Sequence, residues 1–117
     1  MNRIKNPELE KLIADLKTLS ATKKSQLWKR IALDLERPTR QRRVVNVYKI
    51  DKYALENEVV IVPGKVLGVG ELSKKVSVAA FTFSDDARKK ISEKGEVMSI
   101  PELMAKNPQG KGVRILG

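Results

Sequence analysis

The sequence contains neither cysteine nor histidine. Disulfides and thiolate metal sites are excluded, and a zinc site would have to be built from carboxylates alone, against that ion's preference for sulfur and nitrogen. Acid–base or nucleophilic catalysis would fall to Asp, Glu, Lys, Ser or Tyr. Aromatics are scarce as well: one Trp, two Tyr and two Phe in 117 residues, so the core must rest on Val, Leu, Ile and Ala. No apolar run approaches the roughly 18 residues of a membrane span, and the N-terminal stretch has no signal-peptide core. The expectation is a soluble, intracellular chain without metal or cofactor.

What is abundant is positive charge. Lys and Arg number 24 against 14 Asp and Glu, a formal net charge of +10. Charge on this scale opposes compaction by self-repulsion and favours polyanionic partners, nucleic acid above all. It is unevenly placed: residues 1–65 hold 15 bases and 8 acids, residues 66–117 hold 9 and 6. The first half is the expected contact surface. No strongly amphipathic basic helix with bulky apolar anchors speaks for a membrane surface.

The charge is densest in Arg37-Pro38-Thr39-Arg40-Gln41-Arg42-Arg43, where four guanidinium groups fall within seven residues and no acid intervenes. Pro38 lacks a backbone donor and biases Arg37 away from helix, so an extended, exposed run is predicted. A guanidinium fork suits phosphate oxygens better than the point charge of lysine. The run reads as a nucleic-acid grip or, more plainly, as a solvated basic linker.

Around it the chain divides into three stretches of one domain: a helical hairpin over 1–36, a basic segment and short helix over 37–57, and a strand/helix core over 58–117. Asn6, Pro7 and Glu8 supply the N-cap, first-turn proline and first-turn acid of a helix. Leu9, Leu12, Ile13, Leu16 and Leu19 give it one apolar stripe through about Ser20. After the polar break Thr22–Ser25, a second stripe follows: Leu27, Trp28, Ile31, Ala32 and Leu35. The two helices cover each other's apolar faces, with Trp28 as anchor and Lys29 and Arg30 outward. Val44-Val45 is a short extended piece, and Asn46 caps a helix with Val47, Ile50 and Tyr53 on one side and Lys49 and Lys52 on other faces, where they could continue the grip. Both tyrosines, Tyr48 and Tyr53, are expected in the core.

From Glu58 the period changes. Val59–Val62 is a β-branched run of the kind covered on both faces, ended by Pro63-Gly64. Val76–Phe83 is the next strand. Ser84 caps a helix opened by Asp85 and Asp86, with Gly95 as its stop. Val97-Met98 is a brief strand, and Ser99-Ile100-Pro101-Glu102 is a capping box. Asn107–Gly110 turns the chain into a last strand, Val113–Leu116. Strands and helices that alternate with short connections predict an α/β fold with a parallel component.

No motif names an enzyme. The glycines of 64–70 fail as a Walker loop, because Gly64-Lys65 is followed by Val66, and as a dinucleotide fingerprint, because they lead back to a strand. Lys65 and nearby amides could still touch backbone phosphate. Asp85-Asp86 is explained by the helix start. No helix-turn-helix, zinc finger or basic zipper is legible, and the cations are scattered over helix faces, loops and the arginine run. Such a footprint suits docking by shape and phosphate onto folded RNA.

Asn6-Pro7, Leu27-Trp28, Arg37-Pro38, Val45-Asn46, the block Val62-Pro63-Gly64-Lys65-Val66-Leu67-Gly68, Val78-Ala79-Ala80 and Asn107-Pro108 with Gly110 together resemble one family across essentially the whole chain. It is the archaeal form of large-subunit ribosomal protein eighteen, of the archaeal and eukaryotic series, related to bacterial large-subunit protein fifteen. The resemblance implies N-terminal helices followed by a small irregular strand–strand–helix superhelix. It also implies a non-catalytic part of the cytoplasmic large ribosomal subunit, partnered by large-subunit ribosomal RNA and neighbouring ribosomal proteins, with no small-molecule substrate. From charge and local context, Arg37, Arg40, Arg42 and Arg43 are the expected phosphate clamp, aided by Lys23, Lys24, Lys29, Arg30, Lys49 and Lys65. The other reading is a free-standing RNA-binding module or RNA chaperone.

Overall fold

The β-branched run at 59–62 organises the fold. In the computed structural model, which describes residues 7–38 and 43–116, it begins the central strand of a parallel sheet. The elements are α1 (Pro7–Lys23), α2 (Gln26–Leu35), β1 (Arg43–Asn46), α3 (Val47–Tyr53), β2 (Val59–Leu67), β3 (Ser77–Phe83), α4 (Asp85–Lys94), β4 (Glu96–Ser99), α5 (Ile100–Lys106) and β5 (Val113–Ile115). The α/β expectation, with helices preceding the strands, holds. Strand order is β1-β2-β3-β4, and β5 also pairs with β2. Every pairing is parallel. The two partners on one side of β2 divide it between them: β5 takes Val59–Ile61 and β1 takes Gly64–Leu67.

β2 over Val60–Val62 and β3 over Val78–Ala80 are apolar on both faces because both faces are covered there. Val60, Val62, Val78 and Ala80 point into a core with Val47, Ile50, Ala87 and Ile91 of α3 and α4. Ile61 and Ala79 point the other way, against Leu9, Leu12 and Leu16 of α1, Trp28, Ile31 and Leu35 of α2, and Ile100 and Leu103 of α5. Each fully buried Val, Leu or Ile contributes about 1.5–3 kcal/mol, and these two cores hold the helices to the sheet.

β2 does not stop at Pro63-Gly64, as the turn signal predicted; it runs on to Leu67. The proline falls between the stretches paired with β5 and β1, beside a register shift against β3 between Val62 and Lys65. A strand tolerates a missing donor at such an irregularity. Gly64 is required by close approach, since a Cβ there would lie 1.9 Å from the Arg43 carbonyl oxygen.

The helix signals of α4 and α5 hold. Ser84 Oγ accepts from the Ala87 amide at 3.2 Å. The Ser99–Glu102 box closes in both directions, at 3.1 and 3.2 Å. α4 ends before Gly95, whose φ of −153° is extended. Asn46 does not cap α3 with its side chain; its Oδ1 accepts from the Val69 amide at 3.3 Å. Asn6, the expected cap of α1, lies outside the described residues. The expectation that both tyrosines are internal is overturned: Tyr48 and Tyr53 are 55% and 48% exposed. α3 needs only Val47 and Ile50 to seat it, so the rings are left outside.

Candidate nucleic-acid interface

The α1–α2 hairpin brings four of the expected cations together. Its turn is closed by Lys24 in the left-handed region, at φ 52°. The Ser25 amide donates to the Ser20 carbonyl at 3.0 Å, and Ser20 Oγ donates to the Ser25 carbonyl at 2.9 Å. Lys23, in the last turn of α1, also complements the helix dipole. Lys23, Lys24, Lys29 and Arg30 are all exposed. Trp28, in the same helix as Lys29 and Arg30, is fully buried, and its indole N–H donates to the Pro108 carbonyl at 2.8 Å. The hairpin is thereby fixed to the 107–110 turn as well as to the sheet.

A groove of about 510 Å³ runs along the hairpin, lined by Lys17, Ser20, Ala21, Lys24, Ser25, Gln26, Lys29 and Leu33. Three lysines and no carboxylate line it. Lys17 donates to Glu36 at 2.9 Å, which ties α1 to the residue after α2. A larger groove of about 550 Å³ between α1 and α5 is lined by Glu8 and Asp15 as well as Lys11 and is mostly apolar. A phosphate backbone has less to gain there.

The arginine run meets an acid that its own sequence does not contain. Asp34 is buried, with its side chain 6% exposed, and lies between the two described ends of the run. Arg37 Nε is 3.8 Å from one carboxylate oxygen, and Arg43 Nε is 3.9 Å from the other. Among the described residues, Asp34 Oδ2 and Arg43 Nε have no hydrogen-bond partner. These are close charge pairs without hydrogen bonds. Arg37 is about half exposed, whereas Arg43 is mostly covered. Arg40 and Arg42 lie outside the described residues.

Lys65 is exposed on β2, level with Val44 of β1 and Thr82 of β3. Lys49 is half-buried on α3. The glycine loop after Lys65 is engaged inward. Lys90 Nζ donates to the Gly68 and Gly70 carbonyls, each at 2.7 Å, and the Tyr48 amide donates to the Val69 carbonyl at 3.0 Å. Gly70 has φ 100°, and a Cβ there would meet Tyr48 at 2.5 Å. The glycines serve a tight turn against α3, and the Val69 amide is already used by Asn46.

Sequence reasoning missed Asp34 and set Tyr48 and Tyr53 in the core, whereas Lys52, expected off the apolar side of α3, is exposed. The tyrosines could have been placed from helix phase: with Val47, Ile50 and Ala54 inside, positions 48, 49, 52 and 53 form the other side. Among the described residues there is no cluster of three or more Asp or Glu side chains able to hold a metal ion. No described helix is long and apolar enough to cross a membrane.

Comparison with known proteins agrees over nearly the whole chain. The family described as ribosomal proteins 50S-L15, 50S-L18e and 60S-L27A matches residues 8–98. A protein of Archaeoglobus fulgidus named large ribosomal subunit protein eL18 is 50% identical over 115 residues, covering 97% of this chain and 98% of its own length. The proteins of the same name from Haloarcula marismortui and Methanosphaerula palustris are 45% and 48% identical. Those two alignments each cover 95% of this chain, and 96% and 93% of the respective relatives.

Proposed function

The chain belongs to the family of ribosomal proteins 50S-L15, 50S-L18e and 60S-L27A, and from that premise we propose that it is a non-catalytic constituent of the large ribosomal subunit that binds large-subunit ribosomal RNA through phosphate contacts. The observation that carries the RNA contact is the lysine-lined, acid-free groove of a hairpin held rigidly by Trp28. Lys23, Lys24, Lys29 and Arg30 extend that surface, Arg37 and Arg43 continue it beyond α2, and Lys49 and Lys65 add to it from α3 and β2. Arg40 and Arg42 join the clamp on the strength of their place in the run. The partners are the ribosomal RNA and neighbouring proteins of the subunit, in the cytoplasm.

The mechanism is positional. Each cation held against a phosphate releases condensed counterions, so binding weakens with salt by a slope of about −0.7 to −0.9 per contact in log affinity against log salt. A prefolded hairpin presents its charges without a backbone ordering cost at the moment of binding, so that only the side chains lose freedom. Sedimentation tests the assignment: a subunit constituent travels with large subunits through moderate salt, whereas a free-standing RNA-binding module stays near the top of the gradient.

A further inference from the structure

Resting on the reading of an RNA-bound protein, we propose that the outer face of α3 is a second RNA-contact surface of a different kind, one that stacks unpaired bases. Helical spacing sets Tyr48 beside Lys52 and Lys49 beside Tyr53. The opposite side of α3 is sealed by Val47 and Ile50, both fully buried. The outer side therefore consists of two exposed phenol rings alternating with two cations. Lys52 Nζ lies 5.3 Å from the centroid of the Tyr53 ring, so charge and aromatic face are presented together. Val69, 62% exposed, adjoins Tyr48 through the backbone hydrogen bond between them.

The nearby acids are engaged elsewhere. Asp51, on the same helix, accepts from the Ser73 amide at 2.9 Å and the Ser73 hydroxyl at 2.8 Å. Those bonds, the amide's first, hold its carboxyl below the ordinary value for an aspartate. Glu71, which follows Gly70, lies 3.9 Å from Lys90.

This composition selects the occupant. Aromatic rings interleaved with cations hold single-stranded nucleic acid, because each base has a face to stack and each phosphate a charge to meet. A protein partner would also favour tyrosine, but lysine is depleted from protein–protein contacts. A fully paired duplex keeps its bases stacked and offers the rings nothing. The site is thus suited to a loop, bulge or strand end of folded RNA.

The test uses the full-length protein, protein-free large-subunit ribosomal RNA, and a fully paired RNA duplex as control. Tyr48→Ala and Tyr53→Ala should each weaken binding to the ribosomal RNA about 5- to 150-fold, with Tyr→Phe restoring it and the salt slope unmoved. Lys49→Ala and Lys52→Ala should each lower the slope by about 0.7. Duplex affinity should not respond to the tyrosines, and unchanged melting temperatures would show that the exposed substitutions leave the fold intact. Binding to ribosomal RNA that ignores both alanine variants, or an equal loss on the duplex, would overturn the stacking surface and leave the phosphate reading standing. Wild-type protein that does not bind ribosomal RNA at all would overturn both.

Discussion

Four cations of the hairpin and four of the strand/helix part are put to opposite uses. The second four act as struts within the fold. Lys74 Nζ donates to the Asp51 and Ala54 carbonyls at 2.6 and 2.9 Å. Lys90 holds the glycine loop at 2.7 Å, Lys106 reaches Glu96 at 3.1 Å, and Arg114 meets Glu58 at 2.6 Å. In the hairpin, Lys23, Lys24, Lys29 and Arg30 face water, and Lys24 and Lys29 line a groove without a carboxylate. A count of charges treats the two regions as differing in degree. The geometry separates them further, since a cation already committed to a partner in the fold has less to gain from a phosphate.

The contrast depends on the hairpin being rigid, so the most disruptive change is Trp28→Ala. It would empty a fully buried site and remove the bond to the Pro108 carbonyl, at a cost of about 3–5 kcal/mol in denaturant unfolding. Next comes Asp34→Ala. It leaves the mostly covered Arg43 without its counter-charge and should destabilise by about 1–3 kcal/mol. Asp34→Asn, which keeps the shape, should cost less.

A smaller effect follows from the struts and depends on pH. The Arg114 guanidinium, helped by the Leu55 amide, holds the Glu58 carboxyl below the ordinary glutamate value. Ser73 does the same for Asp51, and the Ser99 amide for Glu102. In each case the folded pKa lies below the unfolded one. Their stabilisation is therefore fully present above the unfolded values near pH ~4 and is lost as pH falls through the lowered folded ones. Melting temperature should drop across that acid range, and Glu58→Gln should make the drop shallower. The smallest effect is expected at Lys11, whose pairing with Asp15 at 3.4 Å is well exposed. Lys11→Ala should change stability by less than about 0.5 kcal/mol.

Much of this contrast is legible in the residues themselves, and particular positions show where legibility stops. Ser84 and Ser99 announce their helices because a cap is a local device, with donor and acceptor three residues apart. The apolar runs at 59–62 and 76–83 announce strands covered on both faces because burial on both faces leaves no alternation to find. Pro63-Gly64 misleads, since a local turn signal is overridden where β2 passes from one neighbour to the other. Tyr48 and Tyr53 mislead because a seven-residue helix buries little and hydrophobicity alone does not fix its phase. Asp34 is invisible for a different reason: it sits on α2 like any solvent-facing acid, and one of its partners comes from β1. The hairpin cations are legible as a group, but the groove between them is not, since Lys17 and Leu33 join it only once α1 and α2 pack.

The most direct test compares two sets of alanine substitutions by the salt dependence of binding to large-subunit ribosomal RNA. Replacing Lys23, Lys24, Lys29 and Arg30 together should reduce the slope by about 3 while leaving the melting temperature near that of the parent. Replacing Lys74, Lys90, Lys106 and Arg114 should lower the melting temperature and leave the slope alone. A hairpin variant with an unaltered slope, or a strut variant that loses the slope while staying folded, would contradict this division of labour.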